Sequence, residues 1–453
     1  MRAPAVLLQG IDVGDTSYWS WEWRGGTAPS GLHAIPLERL LPALDELADA
    51  LPGVRPRESA LDVAALRRSL QHVDAGRRGR EADVLRATTD LRMPLAERNA
   101  REAATLRIHA AMHRCLTGAL SRLGTESELM SRLAEVLLPA DLLAQIVAAR
   151  GPASTPVEVA VLPAQSCARV PWELLRIGRD DDTRLLEVAR LSTLSPVLTR
   201  DGEHRRRPCR DGGPARVIDP RNDRGMIVHP ETRSEWPPGG EELAFQRTVD
   251  RAWLAEHLPR ASHFTYFGHV ASGRDHAGRP EAAQTALVLG TATGARGHLF
   301  TAQDALLGTI GSRGPDLGRA PGAGRDLWPM PPRVAVIACE SGVDYLDVEP
   351  FGLVTAFLEL GAEAVTATRW VLHTDRAIGC YEETSAPLGR TALEIDDLQH
   401  VTRHPDLLAA MSAWKRTRLD LWREDPSLDT SPLTWGAFTL YSAGTGARGS
   451  GEA

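Results

Sequence analysis

His263-Phe264-Thr265-Tyr266-Phe267-Gly268-His269 and Val334-Ala335-Val336-Ile337-Ala338-Cys339-Glu340-Ser341-Gly342 decide how the rest of the sequence is read. Each is a short run of β-branched, aromatic and small apolar residues that stops at a glycine or close to one. Runs of this kind form strands buried on both faces of a parallel sheet. Each delivers one reactive side chain, an imidazole or a thiol, at its carboxyl end, and open α/β sheets build their sites along that edge. A thiol and an imidazole on one edge pair a candidate nucleophile with a candidate general acid/base. Gly268 lets the backbone approach a ligand closely, and Ser341-Gly342 lets the chain turn sharply after the cysteine.

Further strands are expected at 157–162, 215–218, 286–289, 364–368 and 435–440. Helical patterns lie between them: Glu241 to Leu258, Thr301 to Leu307 with Thr301 as N-cap, Pro350 to Leu360 closed by Gly361, and 405–423. Strands alternating with helices over roughly 300 residues predict a three-layer α/β fold with a mostly parallel sheet. Before it, residues 5–30 read as a β-hairpin, with Tyr18-Trp19-Ser20-Trp21-Glu22-Trp23 alternating at period two. Helices follow at 37–51, 58–75, 92–124 and 126–149, the last interrupted near Pro139. The expected division is a hairpin-plus-helices region over 1–124, serving regulation or partner contact, then the α/β domain over 125–446 and a disordered tail over 447–453. Polar loops are expected at 201–214 and 308–332.

Charged residues make up 25% of the 453, and the formal net charge is −7, which leaves no basic excess for neutralising phosphates and speaks against nucleic-acid binding. Lys415 is the only lysine. The cysteines, Cys115, Cys167, Cys209, Cys339 and Cys380, are odd in number and show no C-x-x-C spacing. That argues against a disulfide framework and a four-cysteine zinc site, and for a reducing compartment. No run approaches the roughly 20 apolar residues of a membrane helix, so a cytoplasmic protein without membrane contact is expected.

The two decisive stretches, with three more, resemble the CHAT family of caspase-like peptidases, relatives of caspases, gingipains and separase. Tyr266-Phe267-Gly268-His269 is similar to the family's histidine motif, and Ala338-Cys339-Glu340-Ser341-Gly342 to its cysteine motif. Val170-Pro171-Trp172-Glu173-Leu174-Leu175 resembles its PWELL segment. Phe351-Gly352-Leu353 through Gly361-Ala362-Glu363-Ala364-Val365 resembles its helix–glycine–strand, and Pro432-Leu433-Thr434-Trp435-Gly436-Ala437-Phe438 its closing strand. The lead-in Leu137-Leu138-Pro139-Ala140-Asp141-Leu142 fits as well, so the resemblance covers roughly residues 125–445.

The resemblance implies a caspase-like cysteine endopeptidase with Cys339 as nucleophile and His269 as acid/base, needing no metal or organic cofactor. It implies an oxyanion hole from the backbone N–H of Cys339 and of Val270, where the family has glycine. It implies a protein substrate, an upstream sensor or activator, and a role in bacterial signalling or anti-phage defence. Relatives with a basic P1 preference use an acid beside the cysteine, and Asp375, after Trp370, is the nearest match. Asp344 and Asp347 are alternatives, and Trp370 is a further pocket candidate. A caspase-fold scaffold without turnover is the alternative in another class.

Other motifs have plainer readings. His109 and His113 are spaced i,i+4 but lack the glutamate of H-E-x-x-H, so they read as a helix face. Gly290 to Gly297 is glycine-rich without the ending of a phosphate loop, and Arg205-Arg206-Arg207 reads as a solvated loop. Trp19, Trp21 and Trp23 share one strand face and are expected to pack on the following helices rather than stack a nucleotide.

Overall fold

The computed structural model of the chain describes residues 4–26, 28–53, 95–150, 156–178, 181–195, 212–221, 227–228, 232, 235–236, 243–245, 249–271, 281–290, 299–308, 324–338 and 352–442. The first strand, β1 (Ala5–Val13), turns back through Gly14, whose φ of +62° is open to glycine at little cost, into β2 (Thr16–Trp23). Period-two alternation buries Trp19, Trp21 and Trp23 and turns Tyr18 and Glu22 outward. After β3 (Gly31–Pro36) the described residues form the helices α1 (Leu37–Ala50), α2 (Leu95–Leu116), α3 (Leu123–Leu137) and α4 (Ala140–Ala149). Pro139 separates α3 from α4 at the expected place.

The chain then runs through β4 (Val157–Leu162), β5 (Ala189–Leu194), β6 (Ala215–Ile218), β7 (Leu243–Phe245), α5 (Arg251–His257) and β8 (Phe264–Phe267). Next are β9 (Val270–Ala271), β10 (Ala286–Val288), β11 (Leu299–Thr301) and α6 (Ala302–Leu307), whose N-cap Thr301 is paired with Asp304 in a capping box. The last part comprises β12 (Arg333–Ile337), α7 (Leu353–Glu359), β13 (Ala364–Thr368), α8 (Asp375–Ile378), α9 (Pro387–Leu398), α10 (Leu407–Glu424), α11 (Pro432–Trp435) and β14 (Phe438–Ser442). Gly361 ends α7 at φ +113°.

Eleven strands form one sheet in the order β3-β2-β1-β4-β5-β14-β13-β12-β8-β6-β7, and β11-β10-β9 form a small second one. From β1 to β14, and again from β13 to β7, neighbouring strands are parallel. The β14–β13 junction and the two N-terminal pairings are antiparallel. Alternate residues of the central strands separate the two faces. Ile218, Phe267, Ala335 and Ile337 join one core with α1, α3, α9 and α10, while Val217, Tyr266, Val334 and Val336 join the other with α5, α6 and α7. Helices on both faces of a mostly parallel sheet make the expected three-layer α/β fold.

Several expectations are corrected. The N-terminal hairpin extends the main sheet, a pairing on which the sequence reading was silent: Ala5 to Gln9 pair in parallel with Glu158 to Leu162. The helix expected over 241–258 is the strand β7 and, after the N-cap Asp250, the shorter α5. The strand expected at 435–440 starts only at Phe438, after α11. The strand at 286–288 lies in the small sheet. The helix at 58–75, the triple arginine and the glycine-rich stretch from 291 fall outside the described residues.

Candidate functional site

Three parallel strands end together at the carboxyl edge. Phe267 on β8 lies opposite both Ile218 on β6 and Ile337 on β12. The Gly268 N–H donates to the Ile337 carbonyl at 3.2 Å, and the Asp219 N–H donates to the Phe267 carbonyl at 2.6 Å. On the far side of β12, the buried Thr368 hydroxyl donates to the Ala338 carbonyl. The edge therefore brings together Asp219, Gly268-His269 and Ala338, the residue before Cys339. Cys339 itself, with Glu340, Asp344 and Asp347, lies outside the described residues.

His269 is half-buried at the corner where the chain leaves the main sheet for β9. Val270 opens β9, pairs with Leu287, and is not among the residues with positive φ. The position is extended strand, which a β-branched residue favours, so glycine's freedom is not needed there. Gly268 has a packing task that the sequence reading did not foresee. A Cβ at 268 would lie 2.5 Å from the Tyr266 Oη, so the missing side chain makes room for that phenol.

Asp219 was not singled out in the sequence, although an aspartate at a strand end before Pro220 is a readable signal. It is buried on a left-handed backbone with φ of 46°, and its Oδ2 accepts the N–H groups of Ile227 at 3.1 Å and Val228 at 3.3 Å. A non-glycine residue held there costs about 1–2 kcal/mol, and such strain gathers at functional sites.

The expected pocket residues after β13 turn inward. Trp370 is fully buried and donates its indole N–H to the Leu433 carbonyl at 3.0 Å. Asp375 is 1% exposed, and its two carboxylate oxygens accept the Leu388 and Gly389 N–H groups at 2.7 and 3.0 Å. Thr374 caps α8, so Asp375 caps α9 from across the fold. Both oxygens of Asp375 are thus engaged at the start of α9.

One thiol–imidazole contact among the described residues was not foreseen. Cys115 Sγ on α2 lies 2.7 Å from His373 Nε2, with both residues buried. Burial, then the charge of Arg114, lowers the His373 pKa to about 4, so at neutral pH the ring is neutral, and the Cys115 thiol also donates to the Met112 carbonyl at 3.3 Å. A buried thiol on a weak base is no nucleophile. Cys167 is equally inert, its pKa pushed up to about 12 by burial.

Buried ionic clusters hold the frame. Glu173, from the PWELL-like segment, binds Arg369 at 2.9 Å and also Lys415, so the single lysine is internal. Burial pushes the Glu173 pKa up, but Arg369 and Lys415 more than offset it and hold it at about 2. Burial lowers the Lys415 pKa to about 8, with Glu173 opposing. At the opposite, amino end of β6 and β8, His263, Asp396 and His400 gather donor atoms within 4.8 Å of one another, as a metal site would. Arg216 already fills that place, with Nε 2.9 Å from Asp396 and Nη2 3.4 Å from His400. The cluster is read as a salt bridge whose cation is the guanidinium.

The three tryptophans of β2 serve the core. Trp21 and Trp23 donate to Gln145 Oε1 at 3.1 and 2.7 Å, and Trp19 packs on Trp172 with ring centroids 4.9 Å apart. His113 stacks on Tyr381 at 5.8 Å. A cavity of about 220 Å³ between Leu116, Arg122, Tyr381 and Leu428 includes none of the strand-end residues.

No protein-family model matches the chain, and no curated protein sequence does. Among solved structures, 26 chains match. Two come from crystal structures of the Saccharomyces cerevisiae separase–securin complex, 12% and 10% identical, each with a TM-score of 0.43. The alignments cover 97% of this chain and 30% of that one, so the chain spans under a third of the length of those it matches. No described helix is long and apolar enough to cross a membrane.

Proposed function

We propose that the protein is a cysteine endopeptidase of caspase-like fold, with Cys339 as nucleophile and His269 as general acid/base. The observation that carries this reading is the pairing of β8 with β12 in parallel register, Phe267 opposite Ile337. His269 and Cys339 each follow their strand by two residues in the sequence, toward the edge where open α/β sheets build their sites.

The chemistry follows from the two groups. The Cys339 thiol gives its proton to His269, and Sγ bonds to the scissile carbonyl carbon. The oxyanion is held by the N–H groups of Cys339 and Val270, each donor contributing about 3 kcal/mol. Collapse breaks the C–N bond, and His269 returns the proton to the leaving amine. Water, deprotonated by His269, then hydrolyses the thioester and restores the thiol. No step calls for a metal or organic cofactor.

For a basic P1 side chain we assign Asp219 as the acid, because it follows the end of β6 on the same sheet edge as His269, one strand away. A protein substrate, an upstream activator, a cytoplasmic location and a place in bacterial signalling or anti-phage defence belong to the same reading and rest on the CHAT resemblance. Cleavage of a peptide library by wild type, Cys339→Ala and His269→Ala tests it. Both substitutions should abolish cleavage and leave the melting temperature within a few degrees. Undiminished cleavage by either variant would remove the dyad.

A further inference from the structure

Tyr266 lies in the middle of β8 with no solvent exposure, between Phe264 and Phe267. Packing alone would be served by a phenylalanine there, whereas a buried tyrosine must find a partner for its hydroxyl. Its Oη lies 2.6 Å from the His269 carbonyl oxygen and 3.0 Å from that of Val288. A phenol has one proton to donate, and the His269 carbonyl is the nearer acceptor.

Gly268 makes this reach possible, since a Cβ there would stand 2.6 Å from the tyrosine Cζ as well as 2.5 Å from Oη. The same His269 carbonyl accepts the Val288 N–H at 2.9 Å, and the preceding Gly268 N–H is held by Ile337. The corner at which the chain leaves the main sheet is thus tied from the neighbouring strand, from the small sheet, and from beneath by its own tyrosine.

We propose that Tyr266 is a positioning residue for His269, its hydroxyl fixing the peptide that carries the imidazole while Gly268 provides the space. The inference rests on the reading of His269 as acid/base, and its test has a readout that does not. The full chain, labelled with 13Cε1-histidine, is compared with Tyr266→Phe, the His269 resonance being assigned by its loss in His269→Gln. In Tyr266→Phe the His269 resonance should shift and broaden or double while the other histidines keep theirs. On a cleaved peptide, kcat should fall about 10-fold with KM within about twofold, as expected when a catalytic group loses its aim. An unchanged His269 resonance overturns the proposal whatever the rate. So does a change spread over every histidine with a steep loss of melting temperature, which would make the hydroxyl a general structural bond. A selective change in an enzyme-like fold that cleaves nothing leaves the positioning intact and counts against the peptidase reading alone.

Discussion

The Gly268 N–H and the Ile337 carbonyl meet at 3.2 Å, tying the residue before His269 to the second residue before Cys339. Two strand ends joined in this way cannot shift in register without breaking a ladder buried on both faces, where a one-residue slip would turn every side chain to the other core. Some seventy residues of sequence separate Cys339 from His269, and this pairing joins the strands that precede them.

The Glu173 cluster makes stability depend on acid. The folded pKa of about 2 lies below the ordinary 4.5, so the unfolded chain takes up the proton first as pH falls. The contribution of Glu173 is whole above about pH 4.5 and is lost as pH falls toward 2. Melting temperature should therefore drop over that window more steeply in wild type than in Glu173→Gln. At pH 7 the variant leaves Arg369 and Lys415 buried without their anion, and urea titration should show a loss of about 3–5 kcal/mol.

Asp375→Ala should cost about 2 kcal/mol of stability by urea unfolding, the upper end for a lost helix cap. It should not change P1 preference. A selective loss of cleavage after arginine would restore the pocket role that the Leu388 and Gly389 amides now argue against.

Asp219→Ala should weaken cleavage after arginine by at least about 100-fold, the scale of one unpaired buried charge, and spare alkylation of the catalytic thiol. Library profiling that shows small or acidic P1 residues would contradict this assignment.

Gln145→Leu should leave the indole N–H groups of Trp21 and Trp23 without their shared acceptor, a cost of about 1–3 kcal/mol for buried donors. Deleting residues 1–36 should go further, because it strips three strands from the sheet and bares the edge of β4. Cooperative unfolding of a truncated chain with wild-type stability would show the N-terminal strands to be dispensable.

Where the sequence was legible, the signal was local. The β4, β6, β12 and β13 strands follow from apolar runs, and α1, α6 and α7 from caps and stop signals. The misses depend on distant partners. Ala189–Leu194 carries little β propensity and becomes β5 by pairing with β4 and β14. The start of α9 has no local cap, since Ala386 stands there at φ 60°, and the cap is the carboxylate of Asp375. Asp219 carried a local signal, a strand-end aspartate before Pro220, but its place beside the end of β8 is set by strand pairing. The Cys115–His373 contact joins residues 258 positions apart, which no spacing rule reaches.

The central claim is tested most directly by the rate at which iodoacetamide labels each cysteine at pH 7, resolved by peptide mapping, in wild type and in His269→Ala. The account predicts that Cys339 reacts at least about 10-fold faster than the partly exposed Cys380, as a thiol of lowered pKa does. That advantage should vanish in His269→Ala, and Cys115 should stay unlabelled until the chain unfolds. Labelling of Cys339 no faster than Cys380, or indifferent to His269, would contradict the account.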